Sequence, residues 1–246
     1  MTTPFVFLHG FTGSPASWAP VLAHVPDADA LALLGHAGST STARTWDEEI
    51  ERLAASITGR VHLVGYSLGG RIALAVALRR PEVIAQLTLI GASPGIEDDV
   101  ERAARREADE ARARMLEREG LDAFVDAWER EPIFATQQTL SPEVRAAHRR
   151  IRLAQRAGGL ATSLRVLGQG AMPSLWPELA TLDVPTRLVV GSEDAKLRAI
   201  ATRMLERLPR ATLHVVGGAG HDVGLERPDA LAAILLQESL LQEDTA

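Results

Sequence analysis

The 246-residue sequence contains no cysteine. That excludes a disulfide scaffold, thiolate zinc sites, iron–sulfur clusters and a cysteine nucleophile. Positive charge is not in excess either: 26 Lys+Arg against 32 Asp+Glu give a net charge of −6, the wrong sign for a nucleic-acid footprint. Long hydrophobic runs are missing. The longest, such as Ile72–Leu78 and Leu231–Leu236, fall far short of the roughly 20 residues of a membrane-spanning helix. The opening MTTPFVFLHG lacks a basic n-region and enters apolar sequence at once, so it does not read as a signal peptide. Lysine is almost absent, Lys196 being the single one. An arginine is therefore less informative here than elsewhere and needs a positional argument. The expectation is a soluble, cytoplasmic protein with no nucleic-acid partner and no membrane span, large enough to bury a self-sufficient core.

What is present is an alternation of short apolar runs with helical patterns. Strands are predicted at Phe5–Leu8, Ala30–Leu34, Val61–Val64, Ile84–Ile90, Arg187–Val190 and Thr212–Val216. They are apolar almost throughout, as strands buried on both faces are. Helices are predicted at Trp46–Ile57, Leu68–Arg79, Lys196–Leu208 and Asp229–Leu241. Strand, helix, strand in this rhythm implies right-handed crossovers and a mostly parallel sheet.

The rhythm breaks between about Glu97 and Gly170, where no strand is found. A charge-dense run with Glu101/Arg105 and Glu110/Arg114 at i,i+4 spacing comes first. An apolar stripe of Leu121, Phe124, Val125 and Trp128 follows. A third helix is predicted from Ser141-Pro142 to Gly158-Gly159, and a fourth at Leu160–Leu167. This all-helical insertion, residues 97–170, divides a core of residues 1–96 and 171–246, and such an insertion commonly forms a lid over a site. The fold class is α/β: a mostly parallel central sheet with helices on both faces and an inserted helical cap. The antiparallel hairpin common at the start of this fold is expected to be missing or minimal.

The strongest local signal is Gly65-Tyr66-Ser67-Leu68-Gly69-Gly70, which follows the strand VHLV and opens a helix. G-x-S-x-G between strand and helix is a nucleophile elbow, a strained turn that exposes the serine hydroxyl at the strand's C-terminal end. A serine needs a base, and His221 sits in Ala219-Gly220-His221 after the last strand. Of the other histidines, His24 and His148 fall on predicted helices, His62 and His214 inside strands, and His9 and His36 in loops with other roles. The base needs an orienting carboxylate, and Asp194 follows the strand RLVV. Glu193 is one position off, and Asp222 is adjacent to the histidine it would have to align. The order Ser67…Asp194…His221 is that of the α/β-hydrolases. His9-Gly10-Phe11 follows the first strand, so the backbone N–H groups of Phe11 and Leu68 are the expected oxyanion donors. No metal or organic cofactor is expected, there being no H-x-x-x-H, no acidic cluster at ligand spacing and no G-x-G-x-x-G.

Taken whole, the chain resembles the α/β-hydrolase superfamily. More narrowly, it resembles the 2-succinyl-6-hydroxy-2,4-cyclohexadiene-1-carboxylate synthases of menaquinone biosynthesis. The matching pieces are LHGFTGS with Trp18, LLGHAGS, GYSLGGR, DAWEREPIF, Arg152 with GLATSLRVLGQG, GSEDAK, and AGH…LERP. The resemblance implies a lyase that removes a ring proton and releases pyruvate from an enolpyruvyl ether. Ser67 then acts as a general base, with no acyl-enzyme. It also implies a small, anionic, polycarboxylate substrate, and hence cations. Arg71, one helical turn beyond Ser67, and Arg152 match the family's arginines. Arg105 is the choice for a further cap arginine, with Arg102 and Arg106 beside it in the same run. Tyr66 and Trp128 match pocket-lining positions. Departures are Met172, where the family usually has glutamine, Gly224, where it often has histidine, and Leu197, where phenylalanine is common. The alternative reading is a serine carboxylesterase or carbon–carbon bond hydrolase that uses the triad as a nucleophile system. A non-catalytic binding module on this fold is the third.

Overall fold

The structure is a computed structural model and describes residues 3–237. Strands β1 (Phe5–Leu8), β2 (Ala28–Leu31), β3 (Val61–Tyr66), β4 (Ile84–Ile90), β5 (Thr186–Gly191) and β6 (Ala211–Val216) form one sheet in the order β2-β1-β3-β4-β5-β6. Every neighbouring pair is parallel, so the described residues contain no antiparallel hairpin. The helices are α1 (Ala19–Leu22), α2 (Trp46–Ser56), α3 (Leu68–Arg79), α4 (Asp99–Trp128), α5 (Pro142–Leu153), α6 (Ala157–Leu167), α7 (Ala195–Leu205), α8 (Val223–Glu226) and α9 (Pro228–Leu236).

The sheet is covered on both sides, which is why its strands read as continuous apolar runs. Leu63, Leu87 and Leu188 pack with Ile50 of α2, Ile72 of α3 and Met204 of α7. Their chain neighbours Val64 and Val189, with Phe7 and Ile90, point the other way, onto Val21 of α1 and Leu231 and Leu235 of α9. Among the described residues, no helix is long and apolar enough to cross a membrane.

Strand β2 begins and ends earlier than the apolar pattern suggests. Leu33 and Leu34 are buried, but their amides leave the ladder for side chains. Leu33 N–H donates to His9 Nε2 (3.2 Å) and Leu34 N–H to Glu49 Oε1 (3.0 Å). Burial without a sheet partner is indistinguishable from a strand in sequence.

Helices α4, α5 and α6 lie between β4 and β5 in the chain. Gly120, at φ 83° and ψ 178°, breaks α4 into the charge-dense helix and the apolar stripe that follows it. Ala113, Leu116, Phe124, Leu160 and Leu164 pack these helices together. The third insertion helix stops at Leu153, not at Gly158-Gly159, and α6 starts at Ala157. Both glycines lie inside the next helix, and Gly159 marks a close approach of the chain: a Cβ there would stand 2.3 Å from the Gly35 carbonyl oxygen. Helix α7 ends at Leu205 and α9 at Leu236. The last four residues of the predicted final helix, 238–241, lie outside the described residues.

Candidate active site

Strand order reverses between β1 and β3, and in open parallel sheets the crevice at such a point is where ligands bind. The loops after both strands meet there. Ser67 follows β3 with φ 51°, ψ −107°, a backbone region that costs a non-glycine residue on the order of 1–3 kcal/mol. Its N–H is held by the Ile90 carbonyl at 2.9 Å. The flanking glycines are required by close approach. A Cβ on Gly65 would lie 2.3 Å from the Gly69 oxygen, and one on Gly69 would lie 2.1 Å from the Leu8 oxygen.

The loop after β6 brings His221 to the serine, with Nε2 3.0 Å from Ser67 Oγ. Its Nδ1 is 2.9 Å from Asp194 Oδ2. Asp194 follows β5 and caps α7, its other oxygen accepting the Leu197 N–H at 3.0 Å. Burial alone would raise this carboxyl, but the bonds from His221 and Leu197 outweigh it and hold it below the usual carboxylate range. The two rival carboxylates are occupied elsewhere. Glu193 accepts from the Ser192 hydroxyl, and Asp222 caps α8 through the Leu225 N–H at 3.0 Å. A serine, an imidazole and a buried carboxylate in this chain of bonds can move a proton to or from Ser67 Oγ.

Phe11 lies in the turn after β1. Neither its N–H nor that of Leu68 finds an acceptor among the described residues. The Phe11 ring packs edge-on against Trp128 (5.4 Å between centroids), which stacks on Phe124. Trp128 therefore serves as packing within the insertion and as cavity wall. The hydroxyl of partly buried Tyr66 is pushed well above its ordinary pKa, chiefly by desolvation and then by Asp222, so it stays protonated.

One cavity is lined by Ser67, His221, Arg71, Arg105, Arg152 and Trp128. Arg71 is 9% exposed. Its Nη1 donates to the Leu167 carbonyl (3.1 Å) and reaches the Met172 sulfur (3.4 Å). Burial and then neighbouring Arg105 lower its pKa to about 10, so it remains a cation at neutral pH. Arg105 is placed by Asp109 (2.9 Å) and Gln169 (2.7 Å). Arg102 and Arg106 do not line the cavity: Arg102 pairs with Asp99, and Arg106 donates to the Gly170 carbonyl. Arg152, 4% exposed, pairs with Glu129 (3.0 Å) and lies 5.1 Å from the Phe134 ring centroid. Its Nε and the Trp128 Nε1 are buried donors with no acceptor among the described residues.

Met172 does not line the cavity. It stands behind Arg71 and reaches the site only through that guanidinium. Gly224 and Leu197 do line it. Sequence reasoning did not place Lys196, His148 or Asp222 at the cavity, and each of them lines it. Asp222 is adjacent to a triad member, and only its burial distinguishes it from a surface carboxylate. Burial raises it to about 6.

Comparison with known proteins places these residues in context. Residues 5–234 match the model of the alpha/beta hydrolase family. The 2-succinyl-6-hydroxy-2,4-cyclohexadiene-1-carboxylate synthase of Enterobacter sp. (strain 638) is 35% identical over 239 residues, covering 94% of this chain and 90% of the relative. A Bacillus subtilis (strain 168) protein provisionally given the same name is 37% identical over 241 residues, covering 94% and 88%. The solved structure of MenH from S. aureus superposes with a TM-score of 0.92 at 32% identity, covering 95% of this chain and 92% of that one. An esterase from Thermogutta terrifontis, at 24% identity and a TM-score of 0.79 over 96% of this chain and 88% of that one, shares the fold.

Proposed function

We propose, because this chain belongs to the alpha/beta hydrolase family and within it to the 2-succinyl-6-hydroxy-2,4-cyclohexadiene-1-carboxylate synthases, that it is a lyase of menaquinone biosynthesis. It eliminates pyruvate from 2-succinyl-5-enolpyruvyl-6-hydroxy-3-cyclohexene-1-carboxylate. The observation that carries this reading is Arg71, a buried cation in the same cavity as Ser67 whose hydrogen-bond partners among the described residues are a carbonyl and a thioether. A guanidinium without a carboxylate partner suits an anionic ligand. An esterase for neutral substrates has no use for one there.

In the reaction, Ser67 Oγ passes its proton to His221 Nε2 and takes the ring proton. The electron pair left on the ring forms the new double bond as the bond to the enolpyruvyl oxygen breaks. The departing pyruvate enolate takes up the proton held by His221, which gives pyruvate and returns Ser67 and His221 to their starting states. Asp194 keeps His221 in the tautomer that can accept at Nε2. The N–H groups of Phe11 and Leu68 receive the enolate charge, a contribution on the order of 10²–10³ in rate for each donor. Arg71, Arg105 and Arg152 hold substrate carboxylates, and Tyr66 and Trp128 complete the walls. Residues 97–170 act as the lid, and the protein works in the cytoplasm on a small polycarboxylate.

The test is pyruvate release from the enzymatically generated substrate, compared with Ser67→Ala and with turnover of p-nitrophenyl acetate. Fast release abolished in Ser67→Ala supports the elimination. Slow release beside brisk ester turnover contradicts it and leaves a serine hydrolase.

A further inference from the structure

The Phe11 turn is held from two sides. On the core side, His9 Nδ1 donates to the Gly10 carbonyl at 2.8 Å, and the Gly13 N–H donates to the same oxygen at 3.1 Å. A trans peptide points its N–H opposite to its C=O, so fixing the Gly10 carbonyl aims the Phe11 N–H away from those donors. The Thr12 N–H donates to His36 Nε2 at 3.2 Å, while the other nitrogen of that ring is 3.0 Å from the Leu34 carbonyl. Thr12 sits at φ 66°, a left-handed conformation that needs outside support.

On the other side, the support comes from the helical insertion. Gln155, just beyond α5 and 6% exposed, donates from Nε2 to the Gly13 carbonyl (3.1 Å) and to the Ile151 carbonyl (3.1 Å). Its Oε1 accepts the Ala37 N–H at 2.8 Å. One amide therefore ties the turn after β1 to the loop after β2. The Gln155 backbone N–H in turn donates to the Arg152 carbonyl at 3.3 Å. The residue that holds the turn and the arginine facing the cavity share one turn of chain.

We propose that Gln155 is a positioning residue through which the helical insertion sets the Phe11 amide, so that this oxyanion donor is correctly aimed only when the insertion is seated. The inference rests on the reading of Phe11 as an oxyanion donor. Gln155 touches no reacting atom. A misplaced donor costs rate rather than affinity, since it acts on charge that develops during the reaction.

The experiment compares Gln155→Met, which keeps the volume and removes both amide functions, with Gln155→Ala. It reads steady-state pyruvate release, the melting temperature, and the Phe11 amide resonance in protein labelled with ¹⁵N-phenylalanine. The expected result is a kcat roughly 10-fold or more below wild type in both variants, with KM within about twofold. The Phe11 resonance moves in both. A packing role predicts that methionine rescues, and Gln155→Met with wild-type kcat overturns the proposal. A Phe11 resonance that stays in place in both variants overturns it as well. The resonance reads the turn whether or not pyruvate is released, so failure of the lyase reading is told apart from failure of this one.

Discussion

Arg71 and Met172 meet through a guanidinium and a thioether, Nη1 lying 3.4 Å from the sulfur. Sulfur is a weak acceptor, so the contact steers the side chain without neutralising it. Arg71→Ala is expected to lower kcat/KM for pyruvate release roughly 30-fold or more, the cost of leaving a substrate carboxylate unpaired in a buried site, about 2 kcal/mol. Arg71→Lys restores little, because the planar fork is lost. Met172→Leu keeps the volume and is expected to change kcat/KM only a few-fold. Steady-state kinetics on the three variants checks this; wild-type kcat/KM in Arg71→Ala would remove the clamp from the mechanism.

Gly158 and Gly159 make a paired test of the seam between the insertion and the core. A Cβ at Gly159 would be 2.3 Å from the Gly35 oxygen, whereas one at Gly158 meets nothing within 4 Å. Both lie in α6. Gly158→Ala is expected to stabilise by about 0.5–1 kcal/mol through helix propensity alone. Gly159→Ala should destabilise and reduce activity, because backbone on both sides must shift. Thermal melts give the answer, and equal melting temperatures for the two variants would contradict it.

Asp222 makes stability fall as pH rises. Burial raises its carboxyl from 3.8 to about 6, so the folded chain binds the proton more tightly than the unfolded chain. Between about pH 4 and pH 6 folding therefore takes up a proton, and stability declines across that window and stays lower above it. Asp222→Asn keeps an acceptor for the Leu225 N–H at the helix cap and removes the charge. It is expected to melt higher than wild type at pH 8, by an amount equivalent to about 1–3 kcal/mol, with the gap closing toward pH 4. A gap that does not vary with pH would contradict this. Asp194 has the opposite sign. Its lowered carboxyl contributes stability above the ordinary carboxylate value, which is lost as pH falls through the folded value.

The hydrogen-bonded Ser67, Asp194 and His221 are legible in the sequence because each lies in the short connection after a strand, and a local pattern marks each place. The parallel sheet is legible for the same reason: strands buried on both faces announce themselves as continuous apolar runs. The end of β2 is not, since Leu33 and Leu34 are buried by side-chain partners that are distant in sequence. Gly158-Gly159 reads as a helix stop, and only the nearness of Gly35 shows that it is a crossing point. The choice of Arg105 over Arg102 and Arg106 depends on Asp109 and Gln169, the latter 64 residues away. Gln155 carries no local signal, because its partners Gly13 and Ala37 are 142 and 118 residues distant. Tertiary partners of this kind decide which polar side chains are structural.

The central claim is that Ser67 removes a ring proton instead of attacking a carbonyl. The most direct measurement is the single-turnover rate of pyruvate release, with enzyme in excess, from substrate carrying deuterium at the ring carbon that loses its proton. The account predicts release clearly slower than from the protonated substrate, with the mass of the quenched protein unchanged. Equal rates, with a substrate-derived mass added at Ser67, would contradict it and make the serine a nucleophile.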